Sequence, residues 1–409
     1  MAGLKESDVA PLLSGCHRVL WLSQSGMNQT VYLLALVSVW LLWVSGSAFG
    51  HDAVEHLDPE LLTGWLTWFH LTIQWTHLTA FGLWFGLTAG TLLVTAKPPL
   101  DQILYSAWFL VLVVLATGNY NMEYSAGISE TPSVLLLTVL GEIPYGITYT
   151  LLLAAKLGLY ILAVLITFVV TLLHLWTKLD KRTLRKTFLV SQSGLVVLIA
   201  LATATVLFYH EVADLWPTPI HSLGGVAARH GPRFHDVLNE DAAPPNDFRL
   251  LALSAAWIDI TARWLHLLGF GLWLGGSAAV LVFGPVTGAR FLSVSWAAIV
   301  LQMLSGIANT ERWTPFDVPP YFWNLDHLSQ IRFGRSYALF MTAKHALVLL
   351  GMVLLTIWTV RYWSRLRRQD GTVAVAVRSL AGVTLCIGLV IGYIMIVILL
   401  LHEGVDHAL

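Results

Sequence analysis

Charge is what this chain has least of. Asp, Glu, Lys and Arg make up 11% of its 409 residues, while 56% are hydrophobic. A soluble domain needs roughly 25% charged residues to keep its surface wetted, so this composition excludes a water-soluble globule. Net charge is −1, and no basic face of the kind nucleic acid requires is visible. Cysteine is nearly absent. Cys16 and Cys386 lie in unrelated segments and form no C-x-x-C pair, which excludes a disulfide framework and a thiolate cage. Ordinary apolar packing is the expectation for both. The 7 methionines contain no Met-x-x-Met run. No P-loop, G-x-S-x-G, H-E-x-x-H or dinucleotide fingerprint falls in a credible context. Nothing here announces an enzyme.

What the chain does have is long apolar runs. Nine stand out, near 31–49, 64–95, 103–119, 146–174, 188–209, 256–287, 291–309, 336–363 and 380–402. Each is near or beyond the 18 or so residues that read as a membrane span. They are continuous rather than alternating, which argues against a β-barrel. The 18 tryptophans suit the membrane–water interface. The expected fold is all-α, a polytopic membrane bundle of about nine transmembrane helices surrounded by lipid.

Lysine and arginine set the expected orientation. Lys178, Lys181, Arg182, Arg185 and Lys186 follow the fourth run, and Arg361, Arg365, Arg367 and Arg368 follow the eighth. Both segments are expected to be cytoplasmic, with the N-terminus on the same side and the C-terminus outside. Asp52, Glu55, Asp58, Glu123, Glu130, Glu142, Glu240 and Asp241 fall in the opposite loops. The first run ends in Ala48-Phe49-Gly50, a small-x-small pattern resembling a signal-peptidase site. The residues before it are long for a signal n-region, so its retention as a span is expected.

An internal repeat is the strongest signal. Trp75-Thr76-His77-Leu78 through Trp84-Phe85-Gly86 matches Trp264-Leu265-His266-Leu267 through Trp273-Leu274-Gly275 at an offset of 189. The shared pattern is W-x-H-L-x-x-F-G-L-W-x-G. Gly118 and Asn121 match Gly306 and Asn309 at 188, as Ala155-Lys156 matches Ala343-Lys344, and His210-Glu211 matches His402-Glu403 at 192. Each half then has four spans, and an even number gives both halves one orientation. The repeat is parallel, about an axis along the membrane normal. The expected organisation is a leading segment with one helix over 1–60, a first four-helix unit over 61–212, an outer loop over 213–255 and a second unit over 256–409. Gly271, Gly275 and Gly276 suit close helix approach.

Ionisable groups at membrane depth are costly and mark candidate sites. His266 and His345 each lie about 14 Å along their spans from the outer end. They are expected to face one another and to share a metal or clamp a haem iron. The first half keeps His77 but has Leu157 where His345 stands, and His70 lies seven residues before His77 on the same helix face. Lys156 and Lys344 occupy matching membrane positions, where a lysine snorkels, pairs with an acid or meets an anionic group such as a propionate. His210 and His402 end matching spans, where a metal entry site would sit. His51, His56, His221, His230, His235, His327 and His407 lie outside the spans on the same side, as a collector of copper would require. Interfacial, solvated histidines are the commoner outcome there. His174, at a helix end, reads as interfacial.

The W-x-H-L span, followed by three spans with a lysine in the third, resembles the copper resistance protein D (CopD) family. That family's H-x-x-G-x-x-x-W-x-G-G motif is matched by His266, Gly269, Trp273, Gly275 and Gly276, while the first half departs at Ala80 and Leu87. The resemblance covers about residues 60–409. It implies a bacterial inner-membrane protein that takes up or delivers copper, with a periplasmic copper carrier as partner. The same pattern is similar to the HemJ-type protoporphyrinogen oxidases, which bind b haem. There the first-span histidine and third-span lysine matter, here His266 with Lys344 and His77 with Lys156. That resemblance implies b haem and, less directly, a haem-biosynthetic oxidase; His266 and His345 at one depth would instead make the chain a haem-b cytochrome serving a respiratory complex. Cu(I) pathways usually use thioether and thiolate ligands, which this chain largely lacks. Two imidazoles at one depth need no sulfur.

Overall fold

The computed structural model describes residues 64–95, 98–125, 146–177, 179–214, 249–284, 288–313, 334–366 and 373–406. The apolar run at 31–49, the rest of residues 1–60 and most of the outer loop lie outside the described residues. Eight described helices are long and apolar enough to cross a membrane. Helix α1 runs Trp65–Phe85, passes through a π turn at Gly86–Gly90 and ends as Thr91–Val94. Then come α2 (Leu100–Ser125), α3 (Gly146–Trp176), α4 (Lys181–Asp214), α5 (Ser254–Phe283), α6 (Gly288–Trp313), α7 (Gly334–Leu366) and α8 (Val373–Asp406). A short 3₁₀ turn, Arg249–Ala252, precedes α5. The protein is an all-α polytopic bundle.

The helices outrun the apolar stretches because backbone polar groups, not hydropathy, decide where a helix stops. α4 starts inside the basic segment because Asp180 caps it. Its carboxylate accepts from the N–H groups of Arg182 and Thr183, both at 3.1 Å, and from the Thr183 hydroxyl at 2.8 Å. Those bonds hold the Asp180 carboxyl below its ordinary pKa, the Thr183 hydroxyl contributing most. At the other extreme α5 stops at Phe283, short of the apolar run's end at 287. Gly284 there adopts φ +81 with an extended ψ of 156, a positive-φ backbone that favours glycine and breaks the helix.

α1 and α5 form the centre. Each packs on the other, on the helix that follows it, and on the last helices of both halves. Their crossing is backbone on backbone. A Cβ on Gly86 would lie 2.1 Å from Gly275 Cα, and one on Gly275 would lie 2.3 Å from Gly86 Cα. Gly86 and Gly275 are equivalent in the repeat, so the pseudo-twofold axis passes between them. Gly82 approaches Leu274, and further along Gly90 approaches Ala279. Contact positions rise together on both helices, which makes them parallel. Gly271 against Phe85 is the reciprocal of Gly82 against Leu274. The expected parallel repeat is what the fold contains.

Polar side chains tie the halves together in the same reciprocal way. The Trp75 indole donates to the carbonyl of Leu389 on α8 at 3.0 Å. Trp264, its equivalent, donates to that of Val197 on α4 at 3.1 Å. Within each half, Trp108 donates to Thr171 at 3.1 Å and Trp296 to Thr359 at 3.0 Å, both pairs 188 apart. Each joins the second helix of its half to the third. At the basic end, Arg185 reaches the carbonyl of Pro98, and the Arg378 guanidinium sits against Gly284. A basic side chain from the last helix of each half thus meets the turn after the first.

Candidate functional site

The two sites grow from the repeat. His77 Nδ1 is 3.0 Å from Thr117 Oγ1, and His266 Nδ1 is 3.0 Å from Ser305 Oγ. Each hydroxyl already donates its one hydrogen to its own helix, Thr117 to the Val113 carbonyl and Ser305 to the Leu301 carbonyl, both at 2.6 Å. The hydroxyl can therefore only accept from the ring, which assigns the imidazole proton to Nδ1. Val114 and Gln302 offer backbone carbonyls to the same rings. In the neutral ring the lone pair then sits on Nε2. Fixing one ring nitrogen as a donor orients the other as a ligand. The arrangement is the same in both halves.

Glycine makes room for each ring. A Cβ on Gly118 would meet His77 Cε1 at 3.0 Å, and one on Gly306 would meet His266 Cε1 at 3.5 Å. The expected consequences differ. Gly118→Ala should displace His77 and perturb the first site, whereas Gly306→Ala places its methyl at ordinary van der Waals distance and should leave the second intact. Ligand content of the two variants checks this. The second half carries one bond that the first lacks, from the Gln302 amide to the His266 carbonyl at 2.5 Å. Val114 stands at the equivalent position. A Cβ on Gly269 would press on Gln302 at 3.1 Å and on the Ala298 carbonyl at 3.2 Å. The first half, without the glutamine, accommodates Ala80 there.

The third span of each half carries its lysine within electrostatic reach of the histidine. The Lys156 charge acts on His77, and that of Lys344 acts on His266. Further along each first span lies a buried tryptophan. Trp84, seven residues past His77 and so on the same face, stacks on Tyr160 of α3 with centroids 6.0 Å apart. Trp273, its equivalent, lies against α7, where a Cβ on Gly351 would touch its ring at 3.2 Å. The Nε1 donors of both tryptophans are buried with no hydrogen-bond partner among the described residues. Each half thus sets an imidazole within the field of a lysine, with a buried indole N–H about 10 Å further along the same face of the first span.

The remaining expected residues are placed as follows. His345 donates from Nδ1 to the Met341 carbonyl at 2.7 Å, one turn back on its own helix. His70 bonds through Nδ1 to the Tyr120 hydroxyl and stacks on that ring. His70 and His77 thus both face α2. The position equivalent to His70 is Asp259, which is buried. His174 pairs with Asp101 at the basic end. The side chains of His210 and His402 and the loop histidines lie outside the described residues. Among the described residues no group of three or more His, Cys, Asp or Glu is placed to hold a metal ion. Sequence reading missed Thr117, Ser305, Trp84 and Trp273 as parts of the site; each stands at a repeat offset of 188 or 189.

Comparison with protein-family models, with curated proteins and with solved structures finds no match for the chain.

Proposed function

We propose that the protein is a b-type haem membrane cytochrome that passes electrons to or from a partner complex, with His77 and His266 as iron ligands. One observation carries this reading. In each half, a single imidazole has Nδ1 committed to a hydroxyl, leaving Nε2 to bind, and its charged neighbour is a lysine. A bare copper ion takes most of its ligands from the protein, and an adjacent ammonium opposes its charge. A haem brings four nitrogen ligands of its own and carries propionates that suit Lys156 and Lys344. When bound, it supplies one-electron chemistry. Thr117 and Ser305 hold the rings in place, the lysines would pair with its anionic groups, and Trp84 and Trp273 would lie beyond it along the first span.

Copper handling is the second reading. The complete H-x-x-G-x-x-x-W-x-G-G motif of α5 favours it, and its resemblance to CopD proteins would place the chain in a bacterial inner membrane, basic end inward. A copper centre built here would have to recruit histidines outside the described residues, such as His210, His402 and the loop set. An optical spectrum of the purified protein, taken with metal analysis, separates the two. A Soret band with sharp bands after dithionite reduction is expected, with iron in proportion. Copper without those bands would overturn the haem reading. His345→Leu, which installs the residue found at Leu157, should leave haem bound through His266; loss of haem would make His345 a ligand.

A further inference from the structure

We infer that the two sites lie at one depth in the membrane, so that electron exchange between them runs parallel to the bilayer and does no work against the transmembrane potential. This rests on the haem reading and adds a direction to it. The geometry is set by the central crossing. Gly86 and Gly275 touch across the pseudo-twofold axis, and each lies nine residues beyond its histidine, His77 or His266. At 1.5 Å per residue, both imidazoles sit about 13 Å from that contact. Because the contacts rise together along α1 and α5, both histidines are on the same side of it. An antiparallel repeat would put them about 27 Å apart along the normal. The reciprocal bonds of Trp75 and Trp264, two residues before each histidine, hold the same level.

The consequence is specific. Two redox centres stacked across a membrane divide an electron according to the voltage, by up to about 50-fold per 100 mV for a full crossing. Two centres at one level do not. Both sites lie toward the end of the bundle opposite the basic segments. The surroundings still differ enough to tell the sites apart by spectrum or potential. His70 and Leu157 flank the first half, where the second has Asp259 and His345.

The experiment uses the full-length protein in sealed vesicles, poised with about one electron per pair of haems. The bands of each site are assigned from His77→Ala and His266→Ala. Should either variant fail to fold, Thr117→Val and Ser305→Ala, which keep the imidazoles, mark each site by a band shift. A potassium diffusion potential of roughly 100 mV is then imposed in either sense. The expected result is a reduced fraction at each site that stays constant within about twofold. A larger redistribution overturns the equal-depth placement while leaving haem binding in force. A wild-type protein that purifies without haem overturns the haem reading itself, and this inference with it.

Discussion

Gly86→Ala should be among the most damaging single substitutions in the chain, although it adds one methyl group. That methyl would lie 2.1 Å from Gly275 Cα, with the Gly271 carbonyl oxygen at 2.5 Å. Both are backbone atoms that no rotamer change can move. The central helices would have to separate, and α1 and α5 carry most of the contact between the halves. Overpacking a core usually costs about 1–3 kcal/mol, and a clash confined to backbone belongs at the top of that range. Gly275→Ala should do the same, because it meets Gly86 from the other side. Gly158→Ala, Gly194→Ala and Gly382→Ala are the controls, since a Cβ there meets nothing within 4 Å. Removing glycine from those helices should be neutral or stabilising, by up to about 1 kcal/mol. Thermal unfolding in detergent checks the contrast. Equal losses at Gly86 and Gly158 would show that the crossing is not where the halves are held.

The second large effect is on the ligand. His77→Ala and His266→Ala should each remove one haem and leave the other in place, because the two sites share no side chain in the hydrogen bonds that build them. Each variant should keep roughly half of the wild-type Soret absorbance, and the double variant should keep none. Folding should survive, since each imidazole contributes one hydrogen bond to stability, about 1 kcal/mol. Complete loss from either single variant would mean a single shared site, with the two histidines acting on one iron.

Much of this architecture is legible in the residues alone. Low charge and long apolar runs give the membrane bundle, and the 188–189 offset gives the duplication and its parallel sense. The glycines of the first span announce close packing. The partners of the histidines are harder to read. Gly118 and Gly306 are identical and stand out, but the residues before them are threonine and serine, equivalent only as hydroxyls. Azimuth is the other obscurity. His266 and His345 share a depth, yet neighbours on a helix point about 100° apart, so depth alone does not decide whether Lys344 or His345 turns toward α5. The Lys344 charge acts on both His266 and His345, and the His345 ring bonds back along α7 through Nδ1. The partners of Trp75 and Trp264 are obscure for a different reason. Indoles in a membrane protein are expected at the interface, and an indole bonding to a helix carbonyl on the opposite half leaves no mark in one sequence.

The central claim is that each half holds one haem on its first-span histidine. Haem per chain, measured as the pyridine haemochrome on purified protein against an amino-acid count, tests it most directly. Two per chain in the wild type, falling to none in the His77→Ala/His266→Ala double variant, is the predicted result. No haem in the wild type, or an unchanged count in the double variant, would contradict it.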